Sequence, residues 1–302
     1  MLYPIKFTPR LKELVWGGEK WDVSGVEGDV STVCNGFLKG NSLAEAVEIY
    51  MGELVGDEVF ARFGEEFPLL VKHIDARDRL SVQVHPGNEL AAARHGAWGK
   101  TEMWYVLDCE PGAELMIGFR EGVTREIYLA ALADGSVGEL LNRVPVRPGD
   151  AFFIPAGTVH AIGAGIRLAE IQQTSDVTYR LFDWGRVDED GQPRELHTEL
   201  ALDAIDFAAP VRRVTQHPPA GEAALLVECP FFTVNLLDID GRTERELSSR
   251  DSFTIYICTE GEATVKTRGG EVALKAGEVV LVPADLPEVA IEGTAKLLET
   301  YI

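Results

Sequence analysis

Gly149-Asp150-Ala151-Phe152-Phe153-Ile154-Pro155-Ala156-Gly157-Thr158-Val159-His160 reads as a glycine turn, an apolar strand, a Pro-Ala-Gly turn and a histidine. A second stretch repeats the pattern: Gly277-Glu278-Val279-Val280-Leu281-Val282-Pro283-Ala284-Asp285-Leu286-Pro287-Glu288. Both carry a Gly, five residues, a Pro, one residue, Gly or Asp, two residues, then His or Glu. Two copies of one β unit predict two homologous β-barrel domains.

Outward from these repeats the text is mainly strand and turn. From about residue 225 to the end it is nearly all strand. Residues 208–224, AAPVRRVTQHPPAGEAA, have no strong period and read as the junction. The expected division is 1–215 for a larger domain with helical segments and 222–302 for a smaller barrel. Strands are expected at 67–76 and 79–86, and as a pair at 102–108 and 113–119 joined at Pro111-Gly112. Helical period appears after Ser42, where Ser42 and Glu45 form a capping box and Gly52 can end the helix. Shorter helices are expected after Asn88 as N-cap, within 124–142 and at 195–206.

Composition narrows the function classes. The 302 residues carry 28 Lys plus Arg against 49 Asp plus Glu, a formal charge of −21, which repels nucleic acid. An anionic substrate therefore needs local cations in its site. The four cysteines, Cys34, Cys109, Cys229 and Cys258, form no CxxC pair, as in a reducing cytoplasm. The first residues, MLYPIKFTPRLKEL, are charged where a signal peptide is apolar, and no apolar run is long enough to span a membrane. The expectation is a cytoplasmic monomer or homodimer acting on a small molecule, with no nucleic-acid or membrane partner.

Four polar residues carry the chemistry. On the strand 80–85, Val82 and Val84 share one face while Gln83 and His85 share the other. Glu102 opens the next strand and His160 closes the turn of the first repeat. A lone histidine on an apolar strand is usually a core residue. Two imidazoles, a carboxylate and an amide gathered from three segments of one barrel are an open metal site instead. Zn²⁺ suits that donor set, with Fe²⁺, Mn²⁺ or Co²⁺ as alternatives. The second repeat has Glu288 in place of histidine, and 225–302 contains no histidine, so that barrel is expected to be metal-free.

The spacing Gly149-x5-Pro155-x-Gly157-x2-His160 matches the second cupin motif. FPLLVKHIDARDRLSVQVHP, GKTEMWYVL, GDAFFIPAGTVHAIGAG and EIQQTSDVTYRLFDWGR together resemble type I mannose-6-phosphate isomerases of the short bacterial kind. The resemblance implies two cupin (jelly-roll) domains and a zinc enzyme that interconverts mannose 6-phosphate and fructose 6-phosphate. It implies Gln83, His85, Glu102 and His160 as metal ligands, and Arg180, Lys100 and Glu170 as active-site residues. The chain departs from the family in the Trp16-Gly17-Gly18 region, which runs almost directly into Glu19-Lys20-Trp21-Asp22 where a longer insert is usual.

The implied reaction moves a proton between C1 and C2 through a cis-enediol. A metal stabilises the developing negative charge, and the base is Lys100, Glu170 or a metal-bound hydroxide. Arg180 polarises the carbonyl, steadies the enediolate, holds phosphate, or forms a structural ion pair with Asp183 or Asp176. Trp16, Trp21 and Tyr179 line the sugar pocket or pack in the core. Arg10, Lys12, Arg77 and Arg186 are the candidates for phosphate. The alternatives in other classes are a non-catalytic sugar-phosphate-binding cupin and a cupin oxygenase. The cations Lys100 and Arg180 argue against the oxygenase.

Overall fold

The structure, a computed structural model, describes residues 1–187 and 191–302. The fold is mainly β. The chain forms two compact units that are not contiguous in sequence: Met1–Arg10 with Trp21–Val71 and Thr215–Ile302, and Leu11–Lys20 with Lys72–Val214. The sequence division at 215/222 is contiguous; the compact units differ because the early segments pack with the C-terminal strands.

The first unit holds the strands Thr233–Glu246, Thr254–Thr267 and Glu288–Tyr301, paired antiparallel in one sheet with Ala223–Glu228 and Gly270–Lys275 at its edges. Val279–Val282 pairs with Thr254–Thr267 off the main path. Leu237, Ile239, Tyr256, Val265, Leu297 and their neighbours form its core. The first helix starts as expected, with the Ser42–Glu45 capping box in place. It runs to Val55 rather than stopping at Gly52, after a backbone break at Met51 (φ 45°). A second helix, Asp57–Phe63, follows.

The other unit holds a five-stranded sheet and most of a seven-stranded one. The first runs Arg212–Thr215, Asp150–Ile154, Glu102–Cys109, Ile166–Gln173, Leu69–Ala76, Gly17–Ser24, Arg10–Leu14. The second runs Tyr179–Phe182, Val82–Val84, His160–Ile162, Glu114–Phe119, Leu141–Pro145. Trp104, Val106, Phe152, Leu115, Ile117, Ile162 and Leu168 fill the space between. The expected pairing of 102–108 with 113–119 does not form. A turn closed by Ala113 N–H donating to the Glu110 carbonyl sends the second strand into the other sheet.

Other expectations shorten. The helix Asn88–His95 has Gly87, not Asn88, at its N-cap position. Region 124–142 holds a helix Arg125–Asp134 capped by Thr124, one 3₁₀ turn Val137–Glu139, and the start of a strand. Only Thr198–Ala201 of 195–206 is helical. The expected junction contributes the strand Arg212–Thr215. The sequence repeat survives in backbone detail, because Gly149 and Gly277 both take positive φ (89° and 83°) ahead of their apolar strands.

Candidate active site

Strand register assembles the site. In the five-stranded sheet Arg180 lies opposite Gln83, and Gln83 opposite His160, so three polar groups stand in one row. In the facing sheet Glu102 is opposite Gln172, and Trp104 is opposite Glu170. Cross-strand partners share a face, so Glu102, Trp104 and Glu170 point the same way. Lys100, just before the strand Glu102–Cys109, reaches the Glu102 carboxylate at 2.8 Å.

His85, Glu102 and His160 converge with ligand atoms within 4.8 Å of one another. They are 1%, 0% and 0% exposed. His85 Nδ1 lies 3.0 Å from the Val177 carbonyl and His160 Nδ1 lies 2.8 Å from that of Thr158. Each carbonyl can only accept, so each Nδ1 carries the hydrogen and each Nε2 presents a lone pair, that of His85 3.1 Å from Lys100 Nζ. Those lone pairs face Glu102 oxygens at 3.6 and 3.3 Å. Lys100 Nζ lies 2.8 Å from Glu102 Oε2, while the buried Oε1 receives no hydrogen bond among the described residues. Two imidazole lone pairs and a carboxylate converging beside one ammonium form a donor set that fits a divalent metal. Gln83 lies beside it, its amide nitrogen 3.3 Å from His160 Nε2. The alternative amide orientation turns its oxygen toward the same point.

Electrostatics keep the imidazoles in ligand form. Burial, with Lys100 nearby, holds His85 well below the usual range and His160 at about 4, so both are neutral near pH 7. Burial and the Glu170 charge push Glu102 up, with Lys100 opposing. Burial also works against ionised Glu170, but Lys72 and Lys100 outweigh it and bring its carboxyl down. Glu170 is gripped by Lys72 at 3.0 Å and by Trp104 Nε1 at 2.8 Å, with Lys100 at 3.7 Å.

A solvent-open cleft of about 750 Å³ adjoins this cluster, lined among others by Gln83, Lys100, Glu170, Arg180, Lys72 and Arg194. Arg180 makes no ion pair among the described residues; NH1 donates to the Glu195 carbonyl at 2.9 Å. Asp183, an expected structural partner, is held by Arg186 and Arg194 instead. Trp16 lines the cleft. Trp21 packs with Val26 and Leu70, and Tyr179 is core, so these two take the packing role. Of the phosphate candidates, Arg10 pairs with Asp29, Arg77 with Glu13 and Arg186 with Asp183. The wall at Trp16–Glu19 is a tight hairpin. Gly17 sits so close to the next strand that a Cβ would lie 2.0 Å from the Asp75 carbonyl oxygen.

Comparison with known proteins gives this geometry a family. Residues 7–119 match the type I phosphomannose isomerase catalytic domain, and residues 222–302 match the cupin domain of mannose-6-phosphate isomerase. Mannose-6-phosphate isomerase of Bacillus subtilis is 36% identical over 99% of both chains. The chain belongs to the type I mannose-6-phosphate isomerase family. Another family member, from Streptococcus mutans, is 36% identical over 100% of this chain and 99% of its own. The crystal structure of the B. subtilis mannose 6-phosphate isomerase superposes with a TM-score of 0.86 at 31% identity, covering 100% of both chains.

Three cleft residues escaped the reading of the sequence as a family member. Lys72 lies in the apolar run FPLLVKHIDA, and a buried lysine there was a signal in itself. Glu19 and Arg194 come from turn-rich text, where a charge carries no periodic mark.

Proposed function

We propose that this chain is a zinc-dependent isomerase that interconverts mannose 6-phosphate and fructose 6-phosphate, a cytoplasmic enzyme active as a monomer or homodimer. The observation that carries the reading is the convergence of His85, Glu102 and His160 beside a cation-lined cleft. The full-length similarity to mannose-6-phosphate isomerases supports the substrate. Four free cysteines support a reducing compartment. The family match over 222–302 supports 1–215 and 222–302 as the two modules of the chain.

His85, Glu102 and His160 would hold the metal, with Gln83 as fourth ligand. When bound, the ion supplies Lewis acidity toward the sugar's O1 and O2. Lys100 carries the proton between C1 and C2, because it lines the cleft beside the ligands. The Glu170 oxygens face Trp104 and Lys72. Glu170 is the positioning residue, its charge shared by Lys72 and Lys100. Arg180 holds a full positive charge beside Gln83 and stabilises the enediolate oxygen.

The test is to supply the purified protein with mannose 6-phosphate and follow fructose 6-phosphate. Turnover in the wild type, and loss of at least ~10²-fold in kcat for Lys100→Met with metal content kept, is the expected result. Tight sugar-phosphate binding without turnover would instead make the chain a binding protein.

A further inference from the structure

The cations of the cleft are not equivalent. Lys72 and Lys100 are committed to Glu19, Glu102 and Glu170 at the metal end. Arg194 lines the same cleft and is held differently. Its Nε and NH2 donate to the two oxygens of Asp183 at 2.7 and 2.6 Å. Asp183 is buried and takes a second guanidinium, Arg186, whose NH2 donates to Oδ1 at 2.6 Å. Arg186 is fixed in turn by the Arg79 carbonyl at 2.6 Å. Asp183 thus braces two guanidiniums, and Arg186 NH1 also lies 3.7 Å from the exposed Asp78 carboxylate. Arg194 keeps NH1 without a partner among the described residues, on a side chain 25% exposed. Arg180 adds a second charge, and its buried Nε has no acceptor.

We propose that Arg194, braced by Asp183 and Arg186 and flanked by Arg180, is the subsite for the substrate's 6-phosphate. The proposal rests on the isomerase reading and names how it selects a phosphorylated sugar. In a chain of net charge −21, a phosphate dianion settles only where local charge is reversed. A planar guanidinium offers it two parallel donors. The placement fits as well. Arg180 lies opposite Gln83, beside the metal-ligand cluster, and Asp183 lies three residues on, ~10 Å along extended chain. The cations thus step away from the metal ligands as C6 steps away from C1 and C2. Asp183, which alone would repel phosphate, serves to aim Arg194.

The experiment compares wild type, Arg194→Gln and Arg194→Lys, with melting temperature and metal content measured alongside. In Arg194→Gln, KM for mannose 6-phosphate should rise about 10–100-fold, more than kcat falls. Inorganic phosphate should inhibit the wild type competitively, and this variant at least tenfold more weakly. Arg194→Lys should recover part of both losses, because the charge returns without the fork. An unchanged KM together with unchanged phosphate inhibition would overturn the proposal. So would a loss in both variants that follows melting temperature or metal content, since that is a structural role. If the wild type turns over no hexose phosphate, the isomerase reading fails separately. Calorimetric titration of inorganic phosphate into wild type and Arg194→Gln then decides the subsite alone: a tenfold difference upholds it and equal affinity overturns it.

Discussion

Arg180 and Arg194 line one cleft, yet their surroundings assign them different work. Arg180 is half-buried, faces Gln83 across the strand pair and has no carboxylate to share its charge among the described residues. A fixed donor aimed at charge that develops during reaction acts mainly on kcat. Arg180→Ala is expected to lower kcat by roughly 10²–10³ with metal content and melting temperature little changed. Steady-state kinetics check this, and a near-normal kcat would remove Arg180 from the chemistry. At this scale the sequence was legible where residues alternate. Gln83 and His85 bracket Val84 on a strand, and His160 ends a turn of fixed shape. Lys72 carries no such mark, because its meaning lies in its partners, Glu170 at 3.0 Å and Glu19 at 3.4 Å, which come from distant strands.

Elements were read well where a local signal sufficed. The Ser42–Glu45 capping box is a contact within one turn, so it was visible and it formed. Pro111-Gly112 between Glu102–Cys109 and Glu114–Phe119 has the look of a hairpin turn, yet the two strands join different sheets. Both strands are buried through much of their length, so alternation could not show which sheet each joins. The helical text at 195–206 yields only one turn. His197 is tied to Arg180 by two hydrogen bonds, its own N–H to the Arg180 carbonyl and the Arg180 N–H to its Nδ1. The hairpin at Gly17 gives a test of element shape. Gly17→Ala would drive a methyl to 2.0 Å from the Asp75 carbonyl oxygen. The expected cost is at least ~1 kcal/mol of stability, with a raised KM because Trp16 and Glu19 line the cleft. Urea denaturation and kinetics check it, and an unperturbed variant would show that the hairpin is free to move.

At the scale of the whole molecule, a second buried charge cluster centres on Glu299. Glu299 accepts from Arg245 at 2.8 and 3.0 Å, Arg250 at 2.8 Å and Tyr256 at 3.0 Å. Burial alone would raise its carboxyl, but the two arginines bring it down from 4.5 to about 2. A depressed carboxylate contributes stability above its unfolded pKa and loses it as pH falls through the folded one, here from about 4.5 toward 2. The amount is on the order of 3 kcal/mol. Glu299→Gln should therefore be less stable than wild type at pH 7, and the gap should narrow as pH falls below 4.5. Denaturation curves from pH 7 to 2.5 check this, and a constant gap would contradict it. None of this cluster is legible in the sequence, because strand pairing sets Tyr256 opposite Glu299 while Arg245 and Arg250 reach it from distant positions. The repeat at Gly149 and Gly277 was legible, since a glycine turn ahead of an apolar strand is local.

The central claim is that His85, Glu102 and His160 hold the one metal ion on which isomerisation depends. The direct measurement is to strip the protein with chelator and titrate Zn²⁺ back while following fructose 6-phosphate formed from mannose 6-phosphate. The predicted result is no activity in the stripped protein and a rise that saturates at one equivalent per chain, absent in Glu102→Gln. Full activity in the stripped protein, or an unchanged titration in Glu102→Gln, would contradict it.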